Sequence, residues 1–288
     1  MHTYIVSYIQ NYIGGARMQV VSIDCGRRAV KAFNGQRALS IPAVVGEWRE
    51  RNVSEGGNYS ISINNEKYFV GDLAANESRF RREMVTQSKI HEETKILTLS
   101  ALALMAVPGE RIKLVTGLPV EQHTPDIKQE YIRLLSGRYD VEVNGTRSTI
   151  ALGEDDIGIT IEGGGAYWAN NPGRMCRVID LGSRTINALT IKNGKFIDVD
   201  SFTLNYGCIE IENAGTDAAA EQLARRVYAD LSRRWLNVKS EKILLAGGGA
   251  LAMGNWMQEY YPTARIVEDP INANARGNYW LGCQRWGK

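Results

Sequence analysis

Apolar positions along this chain follow two rhythms: short clustered or alternating runs that suit strands, and a spacing of three and four that suits helices. The first rhythm predicts strands over residues 19–24, 29–33 and 39–45, the last carrying Pro42, which disfavours a central place in a sheet. Residues 49–58 are polar and read as a loop. Residues 59–63 and 67–70 alternate as a hairpin around Asn64, Asn65 and Glu66, and residues 71–74 lead out into an arginine-rich stretch over 77–82. Further strands are expected over 111–116, 138–143, 147–152, 158–161, 196–201 and 242–246, with turns at Asn144-Gly145 and over 192–195. Helical spacing marks 89–107, 124–135 and 272–286, and Pro125 suits a first helical turn. It also marks 216–237, where Ala220, Leu223, Ala224, Val227, Tyr228, Leu231 and Trp235 share a face. Strands alternating with helices predict α/β layers.

Two of the predicted hairpins are near copies. Residues 20–33 read VVSIDCGRRAVKAF and residues 177–191 read RVIDLGSRTINALTI, each an apolar strand that ends in Asp-x-Gly before a second strand. A glycine there permits φ > 0 and lets backbone amides approach an oxyanion, while the aspartate suits a hydrated Mg²⁺. One Asp-x-Gly is weak, because such turns close any hairpin. Its repetition predicts a polyphosphate clamp built from both turns. A third glycine-rich turn, Gly247-Gly248-Gly249-Ala250, follows the buried strand at 242–246, at the carboxyl end where α/β sheets place ligands.

Composition narrows the function. With 44% hydrophobic and 23% charged residues the chain reads as globular, long enough for one large or two modest domains. Lys+Arg 34 against Asp+Glu 32 leaves +2, so neither direct nucleic-acid binding nor an anionic membrane surface is expected. The cysteines Cys25, Cys176, Cys208 and Cys283 form no Cys-x-x-Cys pair, which argues against a zinc site or a disulfide framework and for a reducing cytoplasm. His2, His91 and His123 give little material for histidine chemistry. The most apolar helical stretch, 96–107, contains Thr98 and Ser100, stops at Pro108-Gly109 and reads as a core helix. Residues 1–17 lack a basic n-region and read as an appendage or an upstream start before Met18.

With both hairpins and the glycine turn in this order, the chain resembles the superfamily of actin, chaperone and sugar-kinase ATPases over most of residues 20–282. Residues 20–33 are similar to its first phosphate motif, with Lys31 as the phosphate-facing lysine, and residues 178–191 to its second. Residues 244–254 are similar to its adenosine motif. The phrases FVGDLA at 69–74, VTGLPV at 115–120 and NARGNYW at 274–280 resemble bacterial plasmid-segregation actins of the ParM/StbA type.

The resemblance implies an α/β, two-domain actin-like fold, a duplicated ribonuclease H-like unit with nucleotide in the interdomain cleft. Residues 1–17 would be an N-terminal extension and 18–176 the first domain, with a small inserted subdomain at about 34–87. Residues 177–271 would form the second domain. Its outer subdomain is expected to be absent, as in reduced AlfA-like actins, because little chain separates Ile191 from Ile243. Residues 272–288 would pack back on the first domain as a helix.

The resemblance also implies ATP or GTP with Mg²⁺ as cofactors, and Asp24 and Asp180 as metal-holding residues acting through water. Gly26, Arg27, Arg28 and Lys31 would bind phosphate from one side, Gly182, Ser183, Arg184 and Thr185 from the other, and Gly247, Gly248, Gly249 and Ala250 would lie beside the nucleoside. Glu162, before the glycine run at 163–165, would orient the attacking water; its bland alternative is an exposed helix-cap glutamate. Ser183-Arg184 follow Asp-Leu-Gly where the family usually carries Gly or Thr, and Arg184 could contact phosphate, pair with a neighbouring protomer or point to solvent. The expected partners are the chain itself, in a filament, and a DNA-binding adaptor of a plasmid partition system. The rival is a small-molecule kinase of sugar or acetate type, which needs an aspartate base and a recognition loop that the sequence does not display. A chaperone-like ATPase would need a substrate-binding domain, and none is read after the second motif.

Overall fold

The computed structural model describes residues 12–13, 16–52, 59–84, 88–170, 173–209, 211 and 215–287. Strand β2 (Ala16–Cys25) anchors the first central sheet. It runs antiparallel to β3 (Ala29–Phe33), and β3 antiparallel to β4 (Ala38–Pro42). On its other side it lies parallel to β9 (Arg111–Leu118), which is parallel to β12 (Ile157–Ile161). The two-residue β1 (Tyr12–Ile13) folds back on the start of β2, while residues 1–11 and 14–15 of the expected extension lie outside the described residues.

The second central sheet repeats this layout. β13 (Met175–Leu181) is antiparallel to β14 (Ile186–Lys192), which pairs with both β15 (Lys195–Phe196) and β16 (Phe202–Leu204). On its other side β13 is parallel to β17 (Ile243–Ala246), and β17 to β18 (Ala264–Ile266). Both sheets are therefore an antiparallel meander extended by two parallel strands, and in both the Asp-x-Gly turn joins the first two strands of the meander.

A third sheet, ordered β11-β10-β6-β7-β5-β8, stands outside the first. It takes β5 (Val44–Glu47), β6 (Tyr59–Ile63), β7 (Glu66–Val70) and β8 (Arg82–Glu83), and adds the hairpin β10 (Gly137–Val143) and β11 (Thr146–Leu152). The outer unit is thus more than the insert read at 34–87: β4 belongs to the central sheet, and a distant hairpin completes the outer one through the β10–β6 pairing. The expected boundary at Gln87 and most of the loop at 49–58 lie outside the described residues. All described strands fall in these three sheets, so among the described residues the second half carries no matching outer sheet.

Seven helices complete the described fold. α1 (Asp72–Glu77), α2 (Glu92–Met105) and α3 (Pro125–Leu135) belong to the first half, and α5 (Asp217–Ser232) and α6 (Gly249–Tyr260) to the second. α4 (Gly164–Asn170) and α7 (Ala273–Trp286) lie between them. Local chemistry accounts for the starts: the Thr124 and Thr216 hydroxyls accept from the amides of Ile127 and Ala219, satisfying N–H groups that a first turn leaves open. One core packs the first central sheet and the outer sheet around α2, and a second packs β13, β14 and β17 against α5 and α6.

Three elements depart from the sequence reading. The strand expected at 39–45 splits after Pro42, where Ala43 donates to the carbonyl of Arg28, and β4 and β5 enter different sheets. The strand expected at 196–201 survives only as β15. The amides of Asp200 and Ser201 donate to the carbonyls of Ile197 and Asp198 at 3.2 and 3.1 Å and close residues 198–200 into a 3-10 turn, held in place by Ser201 Oγ on the Ile197 carbonyl and Trp235 Nε1 on the Asp200 carbonyl, each at 2.8 Å. The helix expected at 216–237 stops at Ser232, and Asn237 turns left-handed at φ 57°.

The glycine run at 163–165, to which the sequence reading gave no element, leads into α4. Its role is close packing. The backbone of Gly165 meets Asn274 and Gly277 of α7 so tightly that a β-carbon on either glycine would overlap the other helix's backbone. α7 also lies on the first sheet, where Ser22 Oγ donates to the Ala275 carbonyl at 2.5 Å and Phe33 meets Tyr279 edge-to-face. Gly277→Ala will therefore push α4 and α7 apart. A cost of about 1–3 kcal/mol is expected, seen as a lower urea midpoint with the m-value unchanged; an unshifted midpoint would contradict this packing.

Candidate functional site

The two Asp-x-Gly turns share one geometry. Asp24 stands opposite Lys31 across the β2–β3 ladder, and Asp180 opposite Asn187 across β13–β14. Gly26 donates to the Asp24 carbonyl at 3.0 Å, and Gly182 to the Asp180 carbonyl at 3.1 Å. Neither glycine has φ > 0, contrary to the sequence expectation. What demands glycine is the tight return of the chain: a β-carbon would stand 2.7 Å from the Ala29 carbonyl oxygen in one turn and 2.6 Å from that of Thr185 in the other. In the second turn the carbonyls of Gly182 and Ser183 accept from Cys208 and Ile209, each at 2.9 Å. A trans peptide directs N–H opposite to C=O, so these bonds turn the amides of Ser183 and Arg184 away from Cys208 and Ile209.

The carboxylates of both turns are buried. Burial and the charge of Asp24 push Asp180 up to about 6, with Lys31 and a hydrogen bond from Asn274 acting the other way. Asn274 Nδ2 donates to Asp180 Oδ2 at 3.0 Å, and Lys31 Nζ lies 3.5 Å from Asp24 Oδ2. The Asn274 Oδ1 atom is buried without a protein partner. Gly247, at φ 81°, brings the end of β17 against this group: a β-carbon there would stand 2.7 Å from Asp180 Oδ1, while Gly248 next to it is exposed and open. Gly249 and Ala250 are buried in the first turn of α6.

Glu162 is not an exposed cap. It is 9% exposed and its Oε1 pairs with Lys89 Nζ at 2.7 Å. Lys89, 3% exposed, also donates to the carbonyl of Cys25, between Asp24 and Gly26. Burial alone would lower the Lys89 pKa, but Glu162, Cys25 and Asp24 together raise it, so the ammonium stays charged. Sequence reading missed Lys89, which it took only as the start of the helix expected at 89–107 although α2 begins at Glu92, and it missed the role of Asn274 inside a phrase it did single out.

The remaining expected residues spread along the rim. Arg27 is half-buried, which lowers its pKa; the charge of Glu162 opposes that shift and the charge of Arg184 adds to it, so both fields reach the same guanidinium. Arg184 does not simply face solvent. Its Nη2 lies 3.6 Å from Glu83 Oε2 on β8, joining the second turn to the outer sheet. Ser183 and Thr185 are partly exposed, and Arg28 is exposed.

These groups fit a magnesium polyphosphate. Among the described residues no three His, Cys, Asp or Glu side chains gather into a self-sufficient metal site. Two carboxylates from opposite turns, one of them raised by the other's charge, suit an ion that takes its remaining oxygens from water and ligand. Gly247 brings backbone against the carboxylate, Gly248 leaves open the space that a side chain would fill, and Lys31, Arg27 and Arg184 supply compensating charge nearby.

Two copies of one sheet layout, each offering an Asp-x-Gly turn to a shared site, define a two-domain actin-like fold. The chain belongs to the actin-like protein family: residues 22–165 match the actin like proteins N terminal domain. Solved structures agree. The 15-stranded ParM filament from Clostridium botulinum matches at TM-score 0.79 and 22% identity, over 93% of this chain and 99% of that one. Apo pSK41 ParM matches at 0.78 and 20%, over 94% and 98%. The AlfA filament bound to AMPPNP matches at 0.72 and 21%, over 93% and 97%. No curated protein matches in sequence, and no helix among the described residues is long and apolar enough to cross a membrane.

Proposed function

We propose that this chain is a nucleotide-hydrolysing actin that polymerises into filaments and serves plasmid DNA segregation through a DNA-binding adaptor. The observation that carries the reading is the pair of matched turns with buried Asp24 and Asp180, together with a buried carboxylate, Glu162, just past the end of β12 in the first central sheet. ParM and AlfA filaments of the same fold support assembly, and AMPPNP on AlfA supports ATP as the nucleotide, with GTP the alternative.

Mg²⁺, when bound, neutralises phosphate charge at the bond being broken. Asp24 and Asp180 would hold it, with water completing its oxygen ligands. Lys31 adds charge on the phosphate side, and the Ser183 and Arg184 amides face away from their anchoring loop toward the ligand. Glu162 accepts a hydrogen bond from the attacking water and aligns it with the terminal phosphorus. Gly247 and Gly248 let the nucleoside lie against backbone. With head-to-tail contacts that do not close into a ring, such protomers form filaments. The near-balanced charge of the chain supports a DNA contact made by the adaptor and not by the chain itself.

Electron microscopy and light scattering of the purified chain with ATP, GTP or no nucleotide test this reading. Filaments and phosphate release with one nucleotide are expected. A chain that stays monomeric at every concentration with both nucleotides would overturn the polymer reading, and turnover stimulated by a sugar or acetate would replace it with the kinase.

A further inference from the structure

Lys89 is unlike the other cations of the site. Lys31, Arg27 and Arg184 are partly exposed, whereas Lys89 is almost wholly enclosed and both of its observed partners, an ion-paired carboxylate and a carbonyl, belong to the protein. Its charge is therefore already engaged within the protein. Burying an ammonium and a carboxylate together is no more stabilising than an apolar pair of the same size, so stability alone gives little reason for the pair. Its two attachments are informative. One is Oε1 of Glu162, at the end of β12. The other is the carbonyl of Cys25, inside the first Asp-x-Gly turn.

We infer that Lys89 is a positioning residue for hydrolysis: it ties Glu162 Oε1 to the Cys25 carbonyl, so that Glu162 Oε2 is the oxygen left to orient the attacking water. This rests on the hydrolytic reading above and deepens it. The tether sets the carboxylate at a fixed place relative to the turn that grips phosphate. An untethered glutamate would sample several rotamers, and only some would align water with the scissile bond. The anchor is itself held: the Lys89 amide donates to Gln122 Oε1 at 3.3 Å, in the 3-10 turn that follows β9. Strands β2, β9 and β12 thus all contribute to the placing of one carboxylate.

The test is a double-variant cycle with Lys89→Met, Glu162→Gln and both together, reading single-turnover phosphate release and the Kd of a fluorescent ATP analogue. Lys89→Met is expected to slow release roughly 10- to 100-fold, the range for losing a hydrogen-bonded support of a functional ligand. Nucleotide Kd is expected to stay within about twofold, and the double variant to be no slower than Glu162→Gln alone, because the tether acts only through Glu162. The double variant removes both buried charges together, so its comparison with Glu162→Gln stands even if Lys89→Met alone folds poorly. Release by Lys89→Met at the wild-type rate, a Kd weakened as much as the rate, or a double variant slowed by the product of the single effects would each overturn the inference. A wild-type chain that binds nucleotide and never releases phosphate would instead overturn the hydrolytic reading on which it stands.

Discussion

Asp180→Asn will melt higher than the wild-type chain at pH 7.5 without nucleotide, and will fail to gain stability from Mg²⁺ and ATP. Burial and the neighbouring Asp24 hold Asp180 at about 6, above the ordinary carboxylate value of 3.8. A folded-state pKa raised in this way contributes stability that is fully present below the ordinary value and is lost as pH rises through about 6. At pH 7.5 the wild-type fold therefore carries an ionised carboxylate it would rather protonate, a cost on the order of 1–3 kcal/mol. Asparagine has the same shape, cannot ionise, and still offers Asn274 an oxygen. The expected gain is about 2–10 °C in Tm at pH 7.5, shrinking to nothing below pH 4. The wild-type chain should recover this deficit when a divalent cation and nucleotide occupy the site, since ligands that bind only the folded state stabilise it. Equal melting temperatures across the pH range would show that Asp24 and Asp180 do not share a charged site.

What the sequence made legible is what local chemistry decides. β3 falls on the predicted residues 29–33, and the hairpins close where expected because Asn64, Asn65, Asn144 and Asn193 accept φ > 0, as do Gly145 and Gly194. Both Asp-x-Gly turns form because a β-carbon at Gly26 or Gly182 would collide with a returning carbonyl, a constraint contained in residues a few positions apart.

The rest depends on partners far along the chain. Nothing near Lys89 announces that it pairs with Glu162, and a lysine at the start of an expected helix reads as a solvated charge until the fold encloses it. Three consecutive glycines argue against a helix, yet α4 forms because α7 leaves room only for backbone at Gly165. The strands expected at 138–143 and 147–152 are legible as a hairpin, but only the pairing of β10 with β6 places them in the outer sheet. Arg184 offered three readings in sequence, and the choice of Glu83 as its partner needed the outer sheet folded over the second turn.

Glu162→Gln will slow nucleotide turnover by roughly 10²-fold or more, about 3 kcal/mol of transition-state stabilisation, with nucleotide binding intact. The amide keeps the shape of the carboxylate, and its oxygen can still accept from Lys89, so the site stays assembled. It loses the negative charge that makes Glu162 a strong acceptor for water. The consequence reaches beyond the single protomer. If filament growth needs only bound nucleotide and breakdown follows hydrolysis, Glu162→Gln filaments will form at the wild-type concentration and persist after the wild-type ones have gone. Asp180→Asn, which removes metal support, will not assemble with nucleotide at all. Sedimentation of both variants over time, beside measured phosphate release, separates these roles: two variants that fail to assemble alike would place Glu162 in nucleotide binding, and wild-type turnover in Glu162→Gln would remove it from the chemistry.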